Sequence, residues 1–231
     1  MRSVTIAWLL VAFAFTPAGA CEVVPTYHIP SNFELIEHAD LIVLARVQTG
    51  ATRVDHAQND TAIELSPIEV LKGQKPRAPL YVRGSAEWRG KPATPIITHL
   101  GEPHPSSLDG ACTRTAYPPG GLLIAMFKNS STGPELLHYP FARQIEDVDG
   151  PNGAWVRAVK IYVEMSQIPP GPQRRKAIVS KIRQLNSGGN DPAGQAIAFD
   201  LKMYLVSSGQ LEMRKLTPAE RKEIRVWMGQ T

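Results

Sequence analysis

The hydrophobic pattern of this chain changes period once, near residue 146, and that change limits the fold more than any single motif. Before it, short branched runs stand between clusters of Gly, Pro, Ser and Asn. They are Leu41-Ile-Val-Leu-Ala-Arg-Val47, then 61–71 with Ile63, Leu65, Ile68 and Val70 in alternation, then 80–82, 95–98, 122–127 and 135–139. Runs of this length and composition predict antiparallel strands. Ser66-Pro67 marks a bulge or bend, since proline cannot donate to a ladder and the alternation slips there. From Asp147 onward apolar residues recur at helical spacing instead, over 155–165, 172–185, 192–207 and 218–228. The expectation is a β-rich part to about residue 146, followed by a small helical part over 147–231.

Local chemistry fixes several helix ends. Ser31-Asn-Phe-Glu34 is a capping box, in which Ser31 accepts from the N3 amide while Glu34 reaches back to the N-cap amide. It predicts a helix over 32–38, ended by Ala39-Asp40. Asp191 followed by Pro192 is an N-cap and N1 pair, Pro172 opens another helix, and Thr217-Pro-Ala-Glu220 repeats the capping box.

The first twenty residues have the form of a secretory signal. Arg2 is a positive leader, 6–15 an apolar run, and Ala18-Gly19-Ala20 a small-residue cleavage box. The expected mature chain starts at Cys21 and is exported, to a periplasm or the extracellular space. The apolar run is too short to span a bilayer, and no later segment is long enough. Lipid attachment at Cys21 is the alternative, although Ala18 stands where such a box carries leucine. Two cysteines in an exported chain allow one intramolecular pairing, Cys21 with Cys112. Closing that loop of roughly 90 residues is worth up to ~4.7 kcal/mol in the loop-entropy model.

The formal net charge is +4, with basic residues scattered except at 173–176 and 214–222. Neither cluster is a basic stripe interleaved with aromatics, so nucleic acid is not an expected partner, and both read as solvated helix faces. His99, Glu102 and His104 could bind zinc if their loop folded back, but Pro103 and Pro105 hold the backbone extended. They remain weak candidates for a metal-dependent envelope hydrolase. Gly84-Ser85 lacks the frame of a serine nucleophile. The polar loop 84–92 exposes Trp88 as a contact residue. No cofactor and no catalytic set are expected.

Taken in order, the features resemble a known module. Cys21, the short helix ending at Ala39-Asp40, the strand 41–47, the run into Glu69-Val-Leu-Lys-Gly73, Cys112, and the Tyr117-Pro-Pro-Gly120 turn entering an apolar strand follow one another. This order is similar to the netrin-like module, the OB-fold barrel of the tissue inhibitors of metalloproteinases, over about residues 21–146. The resemblance implies a small antiparallel OB-type barrel with a short helix packed on it and a disulfide tying the N-terminus to a loop. It also implies a role for Cys21, whose free amine and carbonyl would bind a target protease's zinc, with Glu22 entering the specificity pocket. The sequence departs from that pattern: Val23 stands where the inhibitors carry a second cysteine, and Glu22 is charged. The reading is therefore a non-enzymatic exported protein that binds a protein or glycan partner through Cys21, Glu22 and Trp88. Metalloproteinase inhibition through the Cys21 amine is the alternative.

Overall fold

A computed structural model describes residues 26–55, 60–85, 100, 107 and 112–227. Residues 1–20, expected as a secretory signal, Cys21, residues 86–92 and the strand expected at 95–98 lie outside these. The described fold is mixed β and α. A short helix α1 (Asn32–His38) precedes strands β1 (Leu41–Asp55), β2 (Asp60–Lys72), β3 (Leu80–Arg83), β4 (Leu122–Ser130), β5 (Gly133–Leu136) and β6 (Ile145–Asp147). Helices α2 (Ala154–Ser166), α3 (Pro172–Ser187), α4 (Pro192–Ser207) and α5 (Pro218–Trp227) follow.

The sheet is antiparallel in the order β3-β2-β1-β4-β5, with β6 also paired to β4. Its edge strands β3 and β5 approach each other, so it is nearly closed and barrel-like. Strand parity separates two apolar clusters. Leu41, Val43, Ala45 and Val47 of β1 and Leu123, Ala125 and Phe127 of β4 point into the barrel with Ile63, Leu65, Leu80, Val82 and Ile145. The intervening Ile42, Leu44, Ile124 and Met126 point outward and pack against α1, α2 and α4. Because residues 41–45 of β1 and 123–127 of β4 are buried on both faces, they read as continuous apolar runs. The outer cluster includes residues on both sides of position 146, so the helices share a core with the sheet.

The bulge in β2 falls one residue beyond the expected place. Leu44 pairs with Glu69 and Ala45 with Pro67, which leaves Ile68 as the extra residue. Ile68 points outward and is 52% exposed, rather than continuing the alternation. A second slip leaves Leu71 unpaired between Val70 and Lys72. After these slips Val70 packs on the barrel cluster and Leu71 on the outer one. Strand β5 also sits earlier than 135–139, because the hairpin turn is tight: Ser130 pairs with Gly133 across Ser131-Thr132. The Ser130 hydroxyl fixes this turn, its oxygen accepting from Thr132 N at 3.2 Å and donating to Glu135 Oε1 at 2.6 Å.

The helix caps form as their sequences predict. Ser31 accepts from Glu34 N while Glu34 Oε2 accepts from Ser31 N at 2.7 Å. Asp191 accepts from Gly194 N, and Thr217 and Glu220 exchange the same pair of bonds. Gly73 turns the chain after β2 at φ +85, and a Cβ there would lie 2.3 Å from Asp40 O. Only glycine fits that turn.

Candidate functional site

Three features of the described fold bear on function. The first is the path of the chain after its N-terminal segment. Tyr27 Oη donates to Pro140 O at 3.2 Å, and His28 meets Glu34 at 3.2 Å. Next to Pro140, Phe141 N donates to Cys112 O at 2.7 Å, and both Phe141 and Cys112 hold left-handed backbone, at φ 60 and 56. Non-glycine residues hold that conformation where the surroundings over-determine it. Here they do: Arg114 donates twice to Asp147 at 2.8 Å, Tyr117 Oη donates to Arg114 O at 3.0 Å, and Ser85 pairs with Ala116. The Arg114 guanidinium also lies 4.8 Å from the Tyr117 ring centroid. Burial pushes the Tyr117 hydroxyl up to about 12, which keeps it a donor. The segment carrying Cys112 is thus pinned to β3 at one side and β6 at the other, and Tyr27 meets Pro140 next to it.

The second feature is a buried polar network in the seam between the sheet and the helices. Asn32 Nδ2 donates to Asp200 Oδ1 at 3.0 Å and to Leu100 O at 2.7 Å. Tyr162 Oη donates to Asp200 Oδ2 at 2.6 Å. Arg143 Nη1 reaches the same Leu100 carbonyl at 2.9 Å, while its Nε donates to Glu146 at 2.9 Å. The Arg143 guanidinium lies over Trp155, 5.1 Å from the ring centroid. Residues of α1, α2, α4 and β6 therefore meet through polar side chains that are all buried. Burial pushes the Asp200 carboxyl up to about 6, against the lowering effect of the bonds from Tyr162 and Asn32. Burial also raises the Tyr162 hydroxyl well above its usual range. A buried ion survives only where such donors replace water.

The third feature is the surface around α3. On one side, a groove of about 660 Å³ between α2 and α3 is lined by Arg157, Lys160, Lys181 and Asp191 over a floor that includes Ile161 and Leu185. Its cations are paired: Arg157 with Asp191 at 2.6 Å, Lys160 with Glu69 at 2.8 Å and Lys181 with Glu164 at 3.6 Å. On the other side, a trough of about 710 Å³ is lined by Gly171, Pro172, Arg175, Lys176, Val179 and Gln210. Beneath it Arg174 is buried, donating to Ile168 O, Ser166 O and Glu37, with its guanidinium over Phe33.

Of the residues expected to act, only Cys112 lies within the described part. Cys21, Glu22, Trp88, His99, Glu102 and His104 lie outside it, although Leu100, the neighbour of His99, is the residue both Asn32 and Arg143 hold. Among the described residues no three His, Cys, Asp or Glu side chains are placed to hold a metal ion, and no helix is long and apolar enough to cross a membrane. The network residues Asn32, Arg143, Glu146 and Asp200 were not expected from the sequence. Asp200 did leave a signal there, a lone acid inside the apolar stretch Ala196-Ile-Ala-Phe-Asp-Leu201. Compared with known protein families, characterised proteins and solved structures, the chain shows no match.

Proposed function

We propose that this is an exported, non-enzymatic binding protein whose barrel is of the OB type and is stapled by Cys21 to Cys112. Its surface around the N-terminal segment would meet a protein or glycan partner. The observation that carries the reading is the N-terminal path: Tyr27 is held by Pro140, and the next residue, Phe141, is held by Cys112. Tyr27 lies six residue steps from Cys21, a tether of at most ~20 Å in extended chain. No cysteine among the described residues is free, which also favours the staple. The acids that could do chemistry, Glu146, Asp147 and Asp200, are instead committed to partners inside the fold.

Strand order supports the OB type. The order β3-β2-β1-β4 is a Greek key, with three consecutive strands and a fourth returning by a long connection to lie beside the first. A fifth strand beside the fourth, approaching β3, is consistent with the partly open Greek-key barrel of the OB type and supports the reading. The test is N-terminal sequencing and intact mass of the exported protein, with and without reduction. The expected result is a chain starting at Cys21 and lighter by two hydrogens before reduction. Two free thiols, or an acylated Cys21, would overturn the reading.

A further inference from the structure

We propose that the exposed face of α3 binds an anionic polysaccharide, through the row formed by Arg175, Lys176 and Arg183. This goes beyond the barrel reading and does not depend on Cys21. Helix α3 carries five cations, Arg174, Arg175, Lys176, Lys181 and Arg183, and no acid. Two of them have structural work: Arg174 is buried on Glu37, and Lys181 faces Glu164. Arg175, Lys176 and Arg183 are exposed, and among the described residues none has an ion-pair partner within salt-bridge distance. Glu212 is near enough to Arg175 for the guanidinium to lower its pKa, but it bonds first to Arg214.

Their spacing puts them in one row. Arg175, Val179 and Arg183 follow at four-residue steps with Lys176 beside them, so they share a face about 12 Å long. Helix stability does not account for this arrangement. Cations at the amino-terminal end of a helix face the positive end of its dipole and are unfavourable there. Arg174 is compensated by Glu37, whereas Arg175 and Lys176 are not buried against any carboxylate. Arg175 and Lys176, held at a cost to the helix beside an open trough, have the character of a surface kept for an external anion, and Arg183 extends it along the same face.

The trough selects among anions. Its apolar lining is confined to Pro172 and Val179, which gives a flat patch for a sugar ring and no enclosed pocket for a peptide's anchoring side chain. The row contains no aromatic side chain on which a nucleobase would stack. The exposed large apolar side chains among the described residues are Ile29 and Ile68, neither on α3, so the face lacks a wedge for lipid. A linear polymer with regularly spaced carboxylates or sulfates matches both the charge and the shape.

The experiment titrates the mature chain at low ionic strength with polygalacturonate, dextran sulfate, neutral dextran, polyglutamate and phosphatidylglycerol-containing lipid vesicles. It uses the wild type, R175Q/K176Q/R183Q, and the charge-matched control K75Q/R77Q/K222Q. The row variant is expected to bind about tenfold more weakly than wild type, and the control unchanged, with the difference shrinking as salt is added. Whichever polymer binds better identifies carboxylate or sulfate as the recognised group. Urea unfolding of the row variant should show stability equal to or above wild type, because two cations leave the positive end of the helix. Absence of binding to either charged polymer would overturn the proposal. So would equal losses in the two variants, tighter binding to polyglutamate or to anionic lipid vesicles, or loss of binding that tracks loss of stability.

Discussion

Replacing Asp200 with asparagine should make the protein more stable at neutral pH, with a gain that disappears in acid. Asp200 is buried where α4 meets α1 and α2, and the groups that face it are Asn32, Tyr162 and the guanidinium of Arg143. Burial outweighs all three and raises the carboxyl from 3.8 to about 6. The folded protein therefore holds this proton more tightly than the unfolded chain does. Stability from the protonated form is fully present below pH 3.8 and is lost as pH rises through about 6. The whole effect is about 3 kcal/mol, taking 1.36 kcal/mol per pH unit. Asparagine copies the protonated acid: its oxygen accepts from Asn32 and its amide faces Tyr162. Urea denaturation of wild type and D200N at pH 4.5 and pH 7.5 provides the comparison, with the other titrating groups cancelling between the two proteins. Measured as variant minus wild type, stability should be higher at pH 7.5 than at pH 4.5 by about 2 kcal/mol, because roughly a third of the effect already falls below pH 4.5. An equal difference at both pH values, or a larger deficit at pH 7.5, would refute the idea that the ionised carboxylate is held at a cost.

Other perturbations follow from the same geometry. Glu146→Gln should destabilise by roughly 3 kcal/mol, since it replaces the buried carboxylate that Arg143 Nε holds at 2.9 Å with a neutral amide. The double variant R143M/E146L should recover part of that loss in a double-mutant cycle. Ser31→Ala removes one half of the capping box on α1 and should cost about 1 kcal/mol, read from denaturant midpoints at constant m. Gly73→Ala should cost more than ~1 kcal/mol, because the new methyl would collide with Asp40 O in a left-handed turn. Ile68→Lys, at the exposed bulge, should change stability by no more than ~0.5 kcal/mol.

Much of the fold was legible because its signals are local. A capping box needs four residues, and both boxes, at Ser31 and Thr217, form as their sequences state. Helices α2, α3 and α4 follow their apolar spacing to within two residues of each end, and Pro172 and Pro192 mark two of the starts. The misplacements arise where pairing geometry decides. Nothing in Ser66-Pro67-Ile68 says which residue the ladder will omit, and the omission falls on Ile68 because Pro67 stays opposite Ala45. Strand β6 was not expected at all. It is three residues long, and its acids Glu146 and Asp147 are buried there because Arg143 and Arg114 are placed against them.

The seam between barrel and helices was the least legible part, and the reason lies in how polar residues are interpreted one at a time. In the sequence Asn32 stands inside a capping box, Tyr162 falls at the apolar spacing of the expected 155–165 helix, and Arg143 lies outside every expected element. Each is buried because each supplies what another lacks: Asn32 and Arg143 share the Leu100 carbonyl, and Asn32 and Tyr162 share Asp200. An apolar seam would tolerate sliding of the helices over Ile42, Leu44, Ile124 and Met126. A connected set of donors and acceptors does not, because a shift of one residue along α4 would leave a buried carboxylate without donors, at a cost of several kcal/mol. The ion at Asp200 thus lowers stability at neutral pH while fixing how the helices sit on the barrel. An isosteric amide at that position relieves the first effect and keeps the second.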